Sequence, residues 1–406
     1  MPAHVNAGVD FVPVFIYVLG LAVFAQGTSE FMLSGLVPGI ARDLSVSVGA
    51  VASLTSAYAI GMIIGAPMMA ALSARWPRRR ALAGFLTAFV VVHVIGALTT
   101  DFAVLFGIRI VAAIVNAGFL AVAMSVAATL VTPAKQGRAT AVLLSGVTLS
   151  CVAGVPAGAL LGNWSGWRSA FWAVAVLCLP ALALVFRSAP AGAARRHDVS
   201  VRQEAQALKS RSVRLALTLA ALVNGATFAT FAYLAVIATD VAHLSAGTVP
   251  GLLVAFGVGA FIGVNAAGRT ADGQLRQDLV LAMWALPVGW AVLAMTSTHT
   301  VPLFIVAVVQ GGLSFGIGST LVNRVMHVAA DAPSLNGSFA AVALNAGAFL
   351  GPLLAGAAAG ATGDYRDAAW VSAALAATAI AMTAASRLSA ARGEREGSTV
   401  PRRSAL

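Results

Sequence analysis

The stretch 21-LAVFAQGTSEFMLSGLVP-38 is apolar enough to cross a bilayer as one helix, yet it carries a carboxylate, Glu30, near its middle. An ionised side chain at that depth costs about 3 kcal/mol or more, so a chain that keeps one there has a use for it. The rest of the sequence decides whether lipid is the solvent. Of 406 residues, 59% are hydrophobic and only 10% charged, against roughly 25% charged in a soluble domain. Apolar runs of about 20 residues, the length that crosses hydrocarbon as a helix, recur near 12–37, 48–72, 81–99, 102–131, 139–162, 166–186, 213–239, 247–268, 279–297, 301–323, 336–361 and 367–386. The expected fold class is therefore an all-α integral membrane protein of twelve spans. The first run is too long for a signal peptide and has no small-residue cleavage site before the next loop.

The net charge of +11 has a placement that matters more than its size. Arg75, Arg78, Arg79, Arg80, Lys135, Arg138 and the basic residues from Arg187 to Arg214 fall in alternate loops, as do Arg269, Arg276, Arg324 and those after Arg387. The opposite loops keep only Arg42, Arg168 and Arg366, and Arg109 lies inside a span. By the positive-inside rule this predicts both termini in the cytoplasm. It makes the basic excess a topology signal and removes nucleic acid as an expected partner. The two cysteines, Cys151 and Cys178, both fall within spans, so neither a disulfide framework nor metal-ligand spacing is expected.

The longest polar segment, 188-SAPAGAARRHDVSVRQEAQALKSRSVR-214, separates two sets of six spans. The expected organisation is a first six-helix bundle over 1–187, a cytoplasmic loop over 188–212, a second bundle over 213–387 and a tail over 388–406. One offset of 198 residues superposes the halves: Gly61 and Gly65 fall on Gly259 and Gly263, Gly27 on Gly225, Gly118 on Gly316, and Gly158 and Gly162 on Gly356 and Gly360. A duplicated six-span unit is a transporter architecture, with the substrate held near the midplane between the halves. Small residues recur at every fourth position in spans two, five, eight and eleven, which in lipid permits close helix approach. Their matched places suggest the surfaces along which the halves meet and rock.

Span five, 146-GVTLSCVAGVPAGALLG-162, adds Pro156 to its glycine row, freeing a carbonyl and permitting a kink. This segment resembles the proline-glycine signature of proton-linked drug exporters in the major facilitator superfamily, carried here by Gly154, Pro156, Gly158 and Gly162. The loop 72-LSARWPRRRAL-82 resembles the superfamily's cytoplasmic signature through Arg75, Arg78 and Arg79, with Ala74 in place of the acid and Pro77 in place of the glycine. Asp272 in 268-GRTADGQLR-276 stands at the equivalent of Ala74 in the second half. Arg109 in span four matches the arginine that the resemblance associates with proton coupling. The segments 27-GTSEFMLSGLVPGIARDL-44, 116-NAGFLAVA-123 and 319-STLVNRV-325 resemble the chloramphenicol efflux proteins of high-GC Gram-positive bacteria. The resemblance implies drug:proton antiport at a bacterial cytoplasmic membrane, by a monomer without cofactor, with a phenicol or related small amphipathic drug as substrate. The alternative within transport is an exporter of sugars, nucleosides or other small metabolites.

Glu30 and Arg109 each lie eight residues inward from Pro38 and Asp101. Both are then roughly 12 Å deep from one side, so a pairing between them is expected. Gln26 and Ser34 share the face of Glu30 at i−4 and i+4. Span four adds Asn116; span seven adds Asn224, Thr227, Phe228 and Phe231; span ten adds Gln310 and Ser314. An apolar, aromatic cavity with a few directed polar groups suits a neutral aromatic amide-alcohol. Packing and interhelical hydrogen bonds are the competing roles for each of these, and His93 and Asn265 are expected to be satisfied buried polar residues. A membrane-embedded enzyme would need a nucleophile with a base, convergent acids or a metal cluster, and the spans hold one acid and no such group. Alternating access would let Glu30 load and release a proton, because burial favours its neutral form and a nearby arginine its charged form.

Overall fold

The computed structural model describes residues 13–73, 76–132, 136–188, 205–269, 275–329 and 336–398. Among these, twelve helical spans follow the apolar runs. Span one is Val14–Phe31 continued by Leu33–Asp43, span two Val48–Ser73, span three Arg78–Leu98 and span four Phe102–Thr129. Span five joins Gln136–Leu149 to Val155–Ser165 through a π-helical turn at Ser150–Gly154, and span six is Arg168–Ser188. Span seven runs through Arg211–Phe231, Leu234–Val236 and a π-helical turn at Ile237–Val241. Spans eight to twelve are Val249–Arg269, Leu275–Thr296, Thr300–Val328, Asn336–Thr362 and Asp367–Ser398. Eleven of these helices are long and apolar enough to cross a membrane, and the apolar stretch Ala282–Thr296 supplies the twelfth crossing. The last helix continues eleven residues past Arg387, to Ser398, into the stretch expected as a tail.

Burial separates two cores. One gathers residues of spans one to six, from Phe15 to Val185, with Val236 of span seven; the other is built mainly on spans seven to twelve, and Phe31, Cys151 and Val155 of the first half reach into it. Call the face where span one starts and span twelve ends the terminal face, and the opposite one the distal face.

The glycine rows do something different from the expected rocking. A Cβ on Gly61 would lie 2.5 Å from the Ile110 carbonyl oxygen, and one on Gly65 would lie 2.7 Å from Ile114 Cα, so span two packs on span four of its own half. At the same offset of 198, Gly259 and Gly263 pack on Val308 and Gly312, span eight on span ten. Gly146, Gly154, Gly158 and Gly162 face span one; Gly347 and Gly351 face span seven. The rows therefore zip each bundle internally, because backbone-to-backbone contact in lipid suits pairs that stay together.

The halves meet through other groups on the same helices. Ser56 donates to the Phe349 carbonyl at 2.7 Å and Asn163 to the Ala246 carbonyl at 2.7 Å. Gly257 abuts the Cys151 carbonyl, its would-be Cβ 2.6 Å away. That carbonyl is free because the π turn would pair it with the nitrogen of Pro156, which has no hydrogen. These contacts run from mid-span to the distal face, which is closed.

Candidate functional site

Glu30 stands where the two halves face each other. With Thr55, Tyr58 and Ala59 of span two it lines a void whose other wall is Phe228, Asn345 and Ala348 of the second half. The void measures about 10 Å³, room for about one water. A drug-sized ligand needs some 300 Å³ or more, so in this state the halves have closed on the acid. Phe31 stacks on Phe228 across the divide, ring centres 5.9 Å apart. Phe228 meets Phe231, and Phe231 meets Phe256, extending an aromatic run into the second core. Larger hollows lie elsewhere, a distal vestibule of about 620 Å³ beside Arg42 and Asp240 and a groove of about 440 Å³ over the glycines of spans eight and ten. Neither reaches Glu30.

Arg109 lies beside Glu30 but does not ion-pair with its carboxylate; among the described residues no ion pair within 4.0 Å involves either. Its Nη1 donates to the Ser29 carbonyl and to the Ser29 hydroxyl, each at 3.0 Å, and its Nη2 to the Glu30 carbonyl at 3.4 Å. The guanidinium carbon sits 4.3 Å above the Tyr58 ring, a cation–π contact that helps hold a buried cation. Arg109 Nε is buried without a partner, a shortfall of about 1–3 kcal/mol. The expected ion pair is thus replaced by carbonyl acceptors, because the end of the first helix of span one exposes them at the depth of the arginine.

The remaining candidates sort by geometry. Gln26 is buried with both amide atoms unpaired, and Ser314 is buried with its hydroxyl unpaired. Ser34 spends its hydroxyl on the Phe31 carbonyl at the end of the preceding helix of span one. Asn116 donates to the Tyr58 hydroxyl at 2.9 Å and Asn224 to the Leu344 carbonyl at 2.7 Å, both as ties between spans of one half. Gln310 turns away from the void toward span nine, donating to the Leu286 carbonyl beside Gly289, which alone leaves room for the amide. Arg78 is buried on the terminal face and donates to the Thr129 hydroxyl; Arg79 is exposed. Arg75 and Asp272 lie outside the described residues. Asn265 is exposed rather than buried and folds back on the Phe261 carbonyl.

Sequence reasoning passed over Ser29, Thr55, Tyr58 and Asn345. Each is an ordinary polar residue in an apolar run, and only the fold places Thr55, Tyr58 and Asn345 around the void beside Glu30 and Ser29 against Arg109. His93 is doubly bonded, Nδ1 to the Phe89 carbonyl at 2.7 Å and Nε2 to the Ser29 hydroxyl at 2.6 Å. No cluster of three or more metal-ligating side chains occurs among the described residues.

Two bundles of six spans with an acid at the divide between them define a multi-pass transporter architecture. The chain belongs to the Major Facilitator Superfamily, whose family model matches residues 19–343. It is 52% identical over 371 residues to the chloramphenicol resistance protein of Streptomyces lividans, covering 91% of this chain and 95% of that one. It is 34% identical to the inner membrane transport protein YdhP of Escherichia coli K12, covering 84% and 87% of the two chains. A chloramphenicol efflux pump of Mycobacterium tuberculosis is 30% identical, with 84% of each chain covered. Among solved structures, a bacterial homolog of the human lysosomal transporter Spinster superposes with a TM-score of 0.72 at 16% identity, over 94% of this chain and 98% of that one. The nucleoside transporter NupG gives 0.72 at 14% identity, over 92% and 99%. These two establish the fold alone.

Proposed function

We propose that this chain exports chloramphenicol or a related phenicol in exchange for protons, by alternating access, and so confers resistance to the drug. The substrate rests on the relatives named for chloramphenicol. The coupling rests on one observation: Glu30 lines the void between the halves, with residues of both halves as its walls. Opening the terminal face would enlarge that void to admit drug, and opening the distal face would let Glu30 take a proton. Gln26 and Ser314, buried with unpaired polar atoms, supply hydrogen-bond partners once the halves part, and Phe228 and Phe231 supply aromatic surface. Arg109 shifts the carboxyl toward release when its guanidinium is free to approach.

The protein acts here as a transporter, not an enzyme, with no cofactor, as a monomer in a bacterial cytoplasmic membrane. The terminal face is cytoplasmic, where Arg78, Arg79, Arg80, Arg187, Arg211, Arg214 and Arg324 gather, so the closed distal face is the outer one. The bundles span 1–187 and 213–387, joined by 188–212. The test is Glu30→Gln in an efflux-deficient host and in proteoliposomes. Loss of phenicol resistance and of uptake driven by a pH gradient is expected; full resistance with unchanged pH dependence sinks the proposal.

A further inference from the structure

We propose that His93, acting through Ser29, is a positioning residue that holds Arg109 off the Glu30 carboxylate in the distally closed state. The inference rests on the reading of Glu30 as the proton carrier.

The hydrogen bonds run in one direction. The Phe89 carbonyl can only accept, so His93 Nδ1, 2.7 Å away, carries the ring hydrogen. Nε2 of the neutral ring is then an acceptor, and its partner at 2.6 Å is the Ser29 hydroxyl. With its hydrogen committed to His93, Ser29 Oγ presents lone pairs to Arg109 Nη1 at 3.0 Å. The Ser29 carbonyl takes a second bond from the same nitrogen. Two acceptors on one residue anchor the guanidinium, and the imidazole fixes the orientation of one of them. His93 is itself locked, its ring tilted against Phe89 at 4.2 Å between centres and against Phe171 of span six at 5.8 Å. The charged and titratable groups about this chain are Glu30 of span one, Tyr58 of span two, Arg109 of span four and, near Tyr58, Cys178 of span six, with Cys151 of span five near Glu30.

The arginine has somewhere else to go. Its Nε has no partner here, and the Glu30 side chain is attached one residue along from its anchor. A carboxylate accepts from arginine more strongly than a carbonyl does, so a guanidinium released from the Ser29 hydroxyl moves to Glu30. The link from His93 thereby sets which proton affinity Glu30 has while the void is closed.

The experiment uses full-length protein in proteoliposomes and compares His93→Leu, His93→Gln and Ser29→Ala. Glutamine keeps an acceptor near the place of Nε2; leucine does not. Two readouts are taken against pH: chloramphenicol transport driven by a proton gradient, and the infrared carbonyl stretch of the protonated Glu30 carboxyl, identified by its loss in Glu30→Gln. With the cation freed to reach the carboxylate, His93→Leu and Ser29→Ala shift both midpoints toward acid by about one pH unit or more, while His93→Gln stays near the wild type. Unmoved infrared midpoints, or leucine and glutamine behaving alike, overturn the proposal. Infrared midpoints that move while Glu30→Gln keeps normal pH-dependent transport uphold the positioning role and defeat the proton-carrier reading instead.

Discussion

Gly61 offers a direct measure of what the glycine rows do. In Gly61→Ala the new methyl lies 2.5 Å from the Ile110 carbonyl oxygen and 2.7 Å from the Ala113 methyl. Ordinary carbon–oxygen contact begins near 3.3 Å, so spans two and four must part by roughly 1 Å along their seam. The obstacle is backbone of a continuous helix and cannot rotate away. Overpacking of this kind costs about 1–3 kcal/mol, roughly a fivefold to 150-fold change in the unfolding equilibrium. Two controls bracket the result. Gly84 has nothing within 4 Å of a would-be Cβ, so Gly84→Ala leaves stability within about 0.5 kcal/mol of wild type. Gly257→Ala places its methyl 2.6 Å from the Cys151 carbonyl of the other half; there the halves can part without either bundle unpacking. It should favour the distally open state at little cost to stability. The assay is unfolding of the purified protein in mixed micelles by a denaturing detergent, followed by tryptophan fluorescence, alongside drug transport. If Gly61→Ala matches Gly84→Ala in stability and alters transport alone, the row is a sliding surface and the packing argument is wrong.

Two further predictions concern the distal face. Ser56→Ala and Asn163→Ala each remove a side-chain hydrogen bond between the halves, worth about 1 kcal/mol net. Each should raise the labelling rate of a cysteine introduced at Gly49 about fivefold, over a low background because Cys151 and Cys178 are buried. Asp43 is held below its ordinary value by hydrogen bonds from Arg168 and then Trp167, and Asp364 by Arg366. A carboxyl lowered in the fold stabilises it above the unfolded value, about 3.9, and loses that contribution as pH falls through the folded one. Thermal midpoints should therefore drop below about pH 4, and Asp43→Asn should show a smaller drop.

Much of the fold is legible without coordinates. Hydrocarbon leaves an unbroken helix as the practical crossing element, so apolar runs such as 102–131 and 301–323 declare their spans. Pro156 announces an irregularity in span five, and the structure places the π turn of Ser150–Gly154 immediately before it. The offset that lays Gly61 on Gly259 also lays Ile110 on Val308, and these are the very carbonyls that the two glycines meet. The candidate site is less legible. Gln310 and Asn224 look identical in sequence whether they face a cavity or a neighbouring helix, since a fraction of a turn of helix rotation in packing decides it. Tyr58 and Ser29 carry no signal at all beyond being polar.

The sequence by itself determined that the chain lives in lipid, that apolar runs recur along its whole length, that its halves share one pattern of glycines, and that Glu30 and Arg109 share a depth. Those are consequences of one-dimensional quantities: run length, charge placement, periodicity and distance along a helix. Only the tertiary structure decided that the glycine rows close each bundle on itself, that Arg109 bonds to the carbonyls of Ser29 and Glu30 rather than to a carboxylate, and that the Ser29 hydroxyl lies between His93 and Arg109. These depend on the azimuth of each helix about its axis. In lipid that azimuth is set by the close fit of neighbouring helices, because apolar side chains gain nothing by turning from lipid to protein.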